Sequence, residues 1–284
     1  MLVLYKPNIQ FLSEHATDPD KRRYAVAPEG PRHYIDIDHY GKYPYSELPH
    51  NWKEAVAKFG EDSLTANGIV PWHIQIMLNR LTNAFREKNF ASIMKNSADI
   101  GHYIADAHVP LHASSNHNGQ LTNQKGIHGF WESRVPELLA ESQFNFFIGR
   151  AAYIKNPPAF IWSRVLESGN AADSVLTFEK ELSLQFRGDK KYAFERRNNI
   201  TIRQYSSNYT RAFNNKLNGM VERRMRQSIF AVASFWYTAW VNAGQPDLSA
   251  LAGRSFSESD LKEFEELNEK WMGGKINGRE EETP

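Results

Sequence analysis

Apolar residues recur at gaps of three and four along most of this chain, the period of an amphipathic helix. From Val70 to Lys88 the stripe is Ile74, Met77, Leu78, Leu81 and Phe85, and Pro71 suits the first turn. Phe90 to Ala107 repeats the pattern with Ile93, Met94, Ala98, Ile104 and Ala105, and Pro110 ends it. A shorter stripe, Trp52, Ala55, Val56 and Phe59, is closed by Gly60. Leu2, Tyr5, Ile9 and Leu12 give a helix over 2–15 with no cap ahead of it, so the chain is expected to begin inside a structural unit.

The second half continues in the same period. Ile161 to Phe186 holds Val165, Leu166, Val175, Leu176, Phe178 and Leu182, with a break expected at Gly169. Arg203 to Ala243 reads as one very long helix or two abutting ones, striped by Leu217, Val221, Met225, Ile229, Val232, Trp236 and Trp240. Its charge run 222–226 (ERRMR) reads as a solvated face. Ser257 caps a last helix that runs to Met272. Thr17 to Gly41 carries Pro19, Pro28, Gly30 and Pro31 and cannot form a long helix. Residues 113–126 read as a polar loop, and a new helix starts near Ile127. With no repeat and no β-rich section, the expected fold is all-α: one helical domain over 1–272 and a flexible tail over 273–284.

Composition narrows the function. The 284 residues carry a formal charge of +1, without the basic excess of a dedicated nucleic-acid binder. No apolar run is long enough to cross a bilayer, and the N-terminus lacks the basic lead and apolar length of a signal peptide. Cysteine is absent, which excludes thiolate metal sites, iron–sulfur clusters and disulfides.

The chemistry gathers in Gly101–Glu132, which holds five of the ten histidines. His102 and Asp106 are four apart, as are His128 and Glu132, so on a helix each pair shares a face. His112 lies in the bend between them, after Pro110. Two such pairs point to a polynuclear metal site. Zinc takes imidazole nitrogen and carboxylate oxygen and keeps a position open for water in catalytic sites. Manganese and iron accept the same donors, so these residues leave the metal's identity open. His73 reads as a satisfied polar residue, and Asp18, His33, Asp36, Asp38 and His39, taken alone, read as parts of a solvated loop.

The stretch His102–Ala113 (HYIADAHVPLHA), with His128-x-x-x-Glu132 and an upstream Asp18 followed by His33, resembles the zinc-dependent phospholipase C and single-strand-specific nuclease superfamily. The similarity covers roughly residues 10–140. It implies a compact multi-helix fold with up to three zinc ions in a cleft and hydrolysis of a phosphodiester, either a phospholipid head group or single-stranded nucleic acid. It implies that Asp18, His33, His102 and Asp106 hold a first zinc. His112, His128 and Glu132 would hold a second, with Asp106 bridging to a third and Asp36 beside the nucleophilic water. It also implies a secreted or periplasmic protein.

Members of that superfamily begin with a tryptophan and soon a histidine that hold the third zinc. Here the first tryptophan is Trp52, and residues 1–14 contain no histidine. The expectation is a missing native N-terminus, or a third site that is empty or differently built. Glu132 and the sixteen-residue step from His112 to His128 lean toward the phospholipase branch, whereas Asp36 and the many aromatics lean toward the nuclease branch. Phospholipase C-like activity is the expectation, a single-strand nuclease the first alternative. A non-catalytic metal-binding relative without the third site is the other.

Overall fold

Prolines set the short elements at the N-terminus. Helices α1 (Leu2–Tyr5) and α2 (Ile9–Glu14) flank a 3₁₀ turn that contains Pro7, where an α-helical register would drive the ring into the carbonyl one turn back. Helix α3 (Asp18–Arg22) starts with Pro19 in its first turn, and 3₁₀ turns follow at Ala27–His33 and Ile37–Tyr40. The structure, a computed structural model, describes residues 1–197 and 200–276. Most of the expected tail, from 277 on, lies outside the described residues.

Helix α4 (Trp52–Phe59) is capped by the Asn51 side chain and ends at Gly60, whose φ of 79° suits glycine. Helix α5 (Glu61–Ala66) has no stripe long enough to announce it. Helices α6 (Val70–Arg86) and α7 (Phe90–Asp106) follow the expected periodicity and pack on each other. Beyond the polar loop, α8 (Ile127–Gly129), a π-helical turn (Phe130–Arg134) and α9 (Val135–Gln143) run on without a gap. Pro136 explains the widened turn. Its ring would clash with the Glu132 carbonyl in α register, and the extra residue per turn relieves this.

Helix α10 (Pro157–Ser183) is unbroken, so the break expected at Gly169 is absent. Glycine serves close packing there: a Cβ would come 2.7 Å from Ile37 Cγ2 and 3.2 Å from Tyr45 Cε2. After α11 (Gly188–Lys191) the chain forms a β-hairpin, β1 (Tyr192–Arg197) with β2 (Ile200–Tyr205), antiparallel, Tyr192 opposite Tyr205. The protein is therefore mostly helical with one small sheet. The helix expected from Arg203 instead starts later, as α12 (Ser207–Lys216) and α13 (Met220–Asn242). β-Branched Ile200, Thr201 and Ile202 favour the strand. Helix α14 (Glu258–Gly273) opens on a Ser257–Asp260 capping box. No helix is long and apolar enough to cross a membrane among the described residues.

Two apolar clusters fill the interior. The larger joins the N-terminal elements, α6, α7, the start of α10 and the end of α13. The smaller joins Leu111, Ile127, Phe130, Trp131 and Val135 to the end of α10, α12 and the start of α13. Arg224 belongs to this interior and corrects the solvated reading of the 222–226 run. It is 6% exposed and donates to the carbonyls of His108 at 2.8 Å and Arg164 at 3.0 Å, and pairs with Glu167 at 2.8 Å. It thereby satisfies backbone acceptors at the end of α7 and beside it in α10.

His73 on α6 is buried edge-on against Tyr103, and its Nε2 has no hydrogen-bond partner among the described residues. Burial, helped by Arg32, pushes its imidazole pKa down from 6.5 to about 3. A histidine held neutral when folded loses stability as pH falls through its unfolded pKa of 6.5 toward 3, because only the unfolded chain takes up the proton. Between pH 7 and pH 5 this residue is expected to cost about 2 kcal/mol. Urea unfolding of His73→Leu beside the wild type checks this: the variant's curve should fall less over that interval.

Candidate metal centre

Helix geometry does the first half of the assembly. The last turns of α7 place His102 and Asp106 on one face, with His102 Nε2 3.3 Å from Asp106 Oδ2. His33, at the end of its 3₁₀ turn, brings Nδ1 to 3.0 Å from both Asp106 Oδ2 and His102 Nε2. Asp20 on α3 completes the group, with Oδ1 3.6 Å from each of the two rings.

A second group lies beside the first. His112 Nε2 and His128 Nε2 are 3.1 Å apart, and Glu132 Oε2 is 3.4 Å and 3.2 Å from them. Asp106 links the groups, since its other oxygen, Oδ1, is 4.0 Å from His112 Nε2. The two apolar clusters meet here. Leu111 packs into the smaller and Ala113 into the larger, which locks His112 between them.

Backbone carbonyls set the ring tautomers. His102 Nδ1–H donates to Ala16 O at 2.9 Å, His112 Nδ1–H to His33 O at 2.6 Å, and His128 Nδ1–H to His117 O at 3.2 Å. A carbonyl only accepts, so each neutral ring turns an unprotonated Nε2 toward its group. His33 is used the other way round: Nδ1 faces the group and Nε2 lies 3.7 Å from the buried Glu29 carboxylate. Burial works to raise the Glu29 pKa, but His33, Arg22, Tyr103 and Arg32 outweigh it and hold the acid at about 2. At 3.7 Å the carboxylate acts on the ring by charge and not through a hydrogen bond, favouring a proton on the nitrogen that faces it.

This arrangement calls for cations. Unprotonated nitrogens 3.1 Å apart, with a carboxylate closing the triangle, repel one another unless a positive charge sits among them. Burial acts to raise the pKa values of Asp106 and Glu132, and positive charge placed at the neighbouring rings outweighs it and holds both below the ordinary range. Ligand atoms 2.0–2.1 Å from a tetrahedral zinc stand about 3.3 Å apart. The separations within each group, 3.0–3.6 Å, fit that value. Asp20, His33 and His102 form one set of converging donors and His112, His128 and Glu132 another, and both could hold a metal ion.

Six of the expected residues, His33, His102, Asp106, His112, His128 and Glu132, thus come together. Asp18 does not join them. His15 Nδ1 at 2.6 Å and Lys21 Nζ at 2.8 Å hold its carboxylate. Two residues along a helix turn a side chain by about 200°, so Asp20 meets the rings that Asp18 faces away from. Asp36 is buried, bonds Asn67 O through its backbone N–H at 2.7 Å, and belongs to neither group. Its charge adds to burial in pushing the Tyr40 hydroxyl up to about 12. Sequence reasoning missed Asp20 and Glu29. The only signal for Glu29 was its spacing of four from His33.

Asp20, Asp106, His112 and Glu132 floor a cleft of about 420 Å³, with Arg23 and Tyr24 in one wall. That volume suits a small-molecule site. Asp36 is not part of the lining. In comparisons with known proteins, no family model, no curated protein and no solved structure matches this chain.

Proposed function

We propose that the protein is a zinc-dependent phosphodiester hydrolase of the phospholipase C and single-strand nuclease type. One observation carries the reading: Asp106 presents one oxygen to each of two cation-sized donor groups at the floor of an open cleft. A carboxylate shared in this way spaces two cations for an in-line displacement at phosphorus. Asp20, His33, His102 and Asp106 would hold one ion, and His112, His128 and Glu132 the other. Zinc bound there supplies a lowered pKa for water and polarisation of the phosphoryl oxygens.

The chain's own residues do the rest. Glu29 sets a negative charge behind the His33 ring, and the carbonyls of Ala16, His33 and His117 orient the other three rings. Arg23 in the cleft wall adds a fixed positive charge for a phosphate oxygen. Asp36, set back from the cleft lining, would serve the water only through an intermediate group.

The test is direct. Zinc-loaded protein is assayed on a single-stranded oligonucleotide and on phosphatidylcholine side by side. Hydrolysis of one, abolished by a chelator and restored by zinc, is expected. Failure to turn over either, with both donor groups filled, would leave a metal-binding protein without this chemistry.

A further inference from the structure

The C-terminal helix brings a side chain into the cleft that nothing so far accounts for. Trp271, in the last turn of α14, lines the same cavity as Asp20, Asp106, His112 and Glu132, and is 46% exposed. A large aromatic ring left half open beside the two donor groups is an available stacking surface. The helix that carries it is attached firmly. Lys95 bonds Asp260 at 2.8 Å and Glu263 at 2.7 Å, and Phe264 packs on His15 with ring centroids 4.3 Å apart. Just beyond the helix, a Cβ at Gly274 would lie 3.3 Å from Tyr24 Cβ, so the chain passes closely over the cleft wall.

Charge decides what the ring can receive. Lys21, already paired with Asp18 at 2.8 Å, holds its Nζ 5.8 Å from the Trp271 centroid, and Arg23, whose Nη1 is 3.7 Å from Asp20 Oδ1, lies in the wall. A quaternary ammonium head group would have to compete with Lys21 for the ring face. A neutral planar base needs no such exchange, because it stacks through its own π-face, and bases are free to stack only in a single strand.

We propose that Trp271 is a specificity-determining residue, a stacking platform for a nucleobase next to the phosphate at the metal cleft. The inference rests on the reading of that cleft as a phosphodiester site. It assigns the C-terminal helix to the substrate site and favours single-stranded nucleic acid over a choline phospholipid.

The experiment compares the wild type with Trp271→Ala and Trp271→Phe in the full chain. Fluorescence anisotropy reads the binding of a labelled oligothymidylate and of an abasic oligomer of equal length, with zinc and with chelator. Kinetics on the oligothymidylate and on short-chain phosphatidylcholine run in parallel. Trp271→Ala should weaken oligothymidylate binding about tenfold and leave the abasic oligomer unchanged, while Trp271→Phe retains most of the affinity. KM should rise with Kd while kcat moves by less than about twofold. Equal loss on both oligomers, no loss on either, or a loss confined to phosphatidylcholine would overturn the proposal. Binding that behaves as expected in a protein that hydrolyses nothing would remove the hydrolase reading and leave the stacking role. Hydrolysis of the oligomer indifferent to Trp271 would do the reverse.

Discussion

With the two donor groups taken as the proposed zinc sites, changing His128 to alanine is expected to empty the second, lowering bound zinc from two ions per chain to one. His128 Nε2 is 3.1 Å from His112 Nε2 and 3.2 Å from Glu132 Oε2, so its loss leaves two ligands where a closed triangle stood. Two protein ligands rarely hold zinc tightly, since catalytic sites use three. Losing a charge placed on the reacting phosphate costs on the order of 100-fold or more in kcat. The fold should survive, because the apolar cluster beside His128 is built from Ile127, Phe130, Trp131 and their partners, which the substitution leaves in place. Elemental analysis of the purified variant, with circular dichroism as the control, gives the answer. Two tightly held zinc ions in the variant would show that His128 is not a ligand.

Gly68→Ala should be strongly destabilising. Gly68 has φ of 89°, and a Cβ there would fall 2.2 Å from the Tyr34 carbonyl oxygen and 2.5 Å from Tyr34 Cδ2. Backbone cannot give way there at small cost. Ile69 N–H donates to Pro31 O at 2.7 Å, Val70 N–H to Tyr34 O at 3.2 Å, and Asp36 N–H to Asn67 O at 2.7 Å. These bonds fasten the segment that carries His33 to the start of α6. The left-handed φ alone costs an alanine about 1 kcal/mol, and the overlap brings the expected destabilisation to about 3–5 kcal/mol. The damage should reach the metal centre, because moving Tyr34 moves His33. Urea unfolding and zinc stoichiometry read the two effects. A loss below about 1 kcal/mol with full zinc binding would show that the 31–36 segment yields more easily than its hydrogen bonds imply.

The long helices and the donor types were legible because both are local properties. An apolar residue every three or four positions marks the buried face of α6 or α7 whatever lies opposite. A histidine and a carboxylate four apart share a face on any helix, which is why His102 with Asp106 and His128 with Glu132 could be paired in advance. Even there the structure added a turn of different pitch at Phe130–Arg134, forced by Pro136. The pairing of β1 with β2 was hidden because half of β1 is charged, at Glu195, Arg196 and Arg197, and a stripe of that length does not separate strand from helix.

By itself the sequence determined a mostly helical chain whose imidazoles and carboxylates cluster in 101–132, because helical period and ligand chemistry are written residue by residue. Only the tertiary structure decided that Asp20 and not Asp18 meets His33, that Glu29 backs that ring, that Arg224 is interior, and that Trp271 overlooks the cleft. Each of those depends on how a short element is rotated when it docks against a distant one. Packing sets that rotation, and no local spacing encodes it.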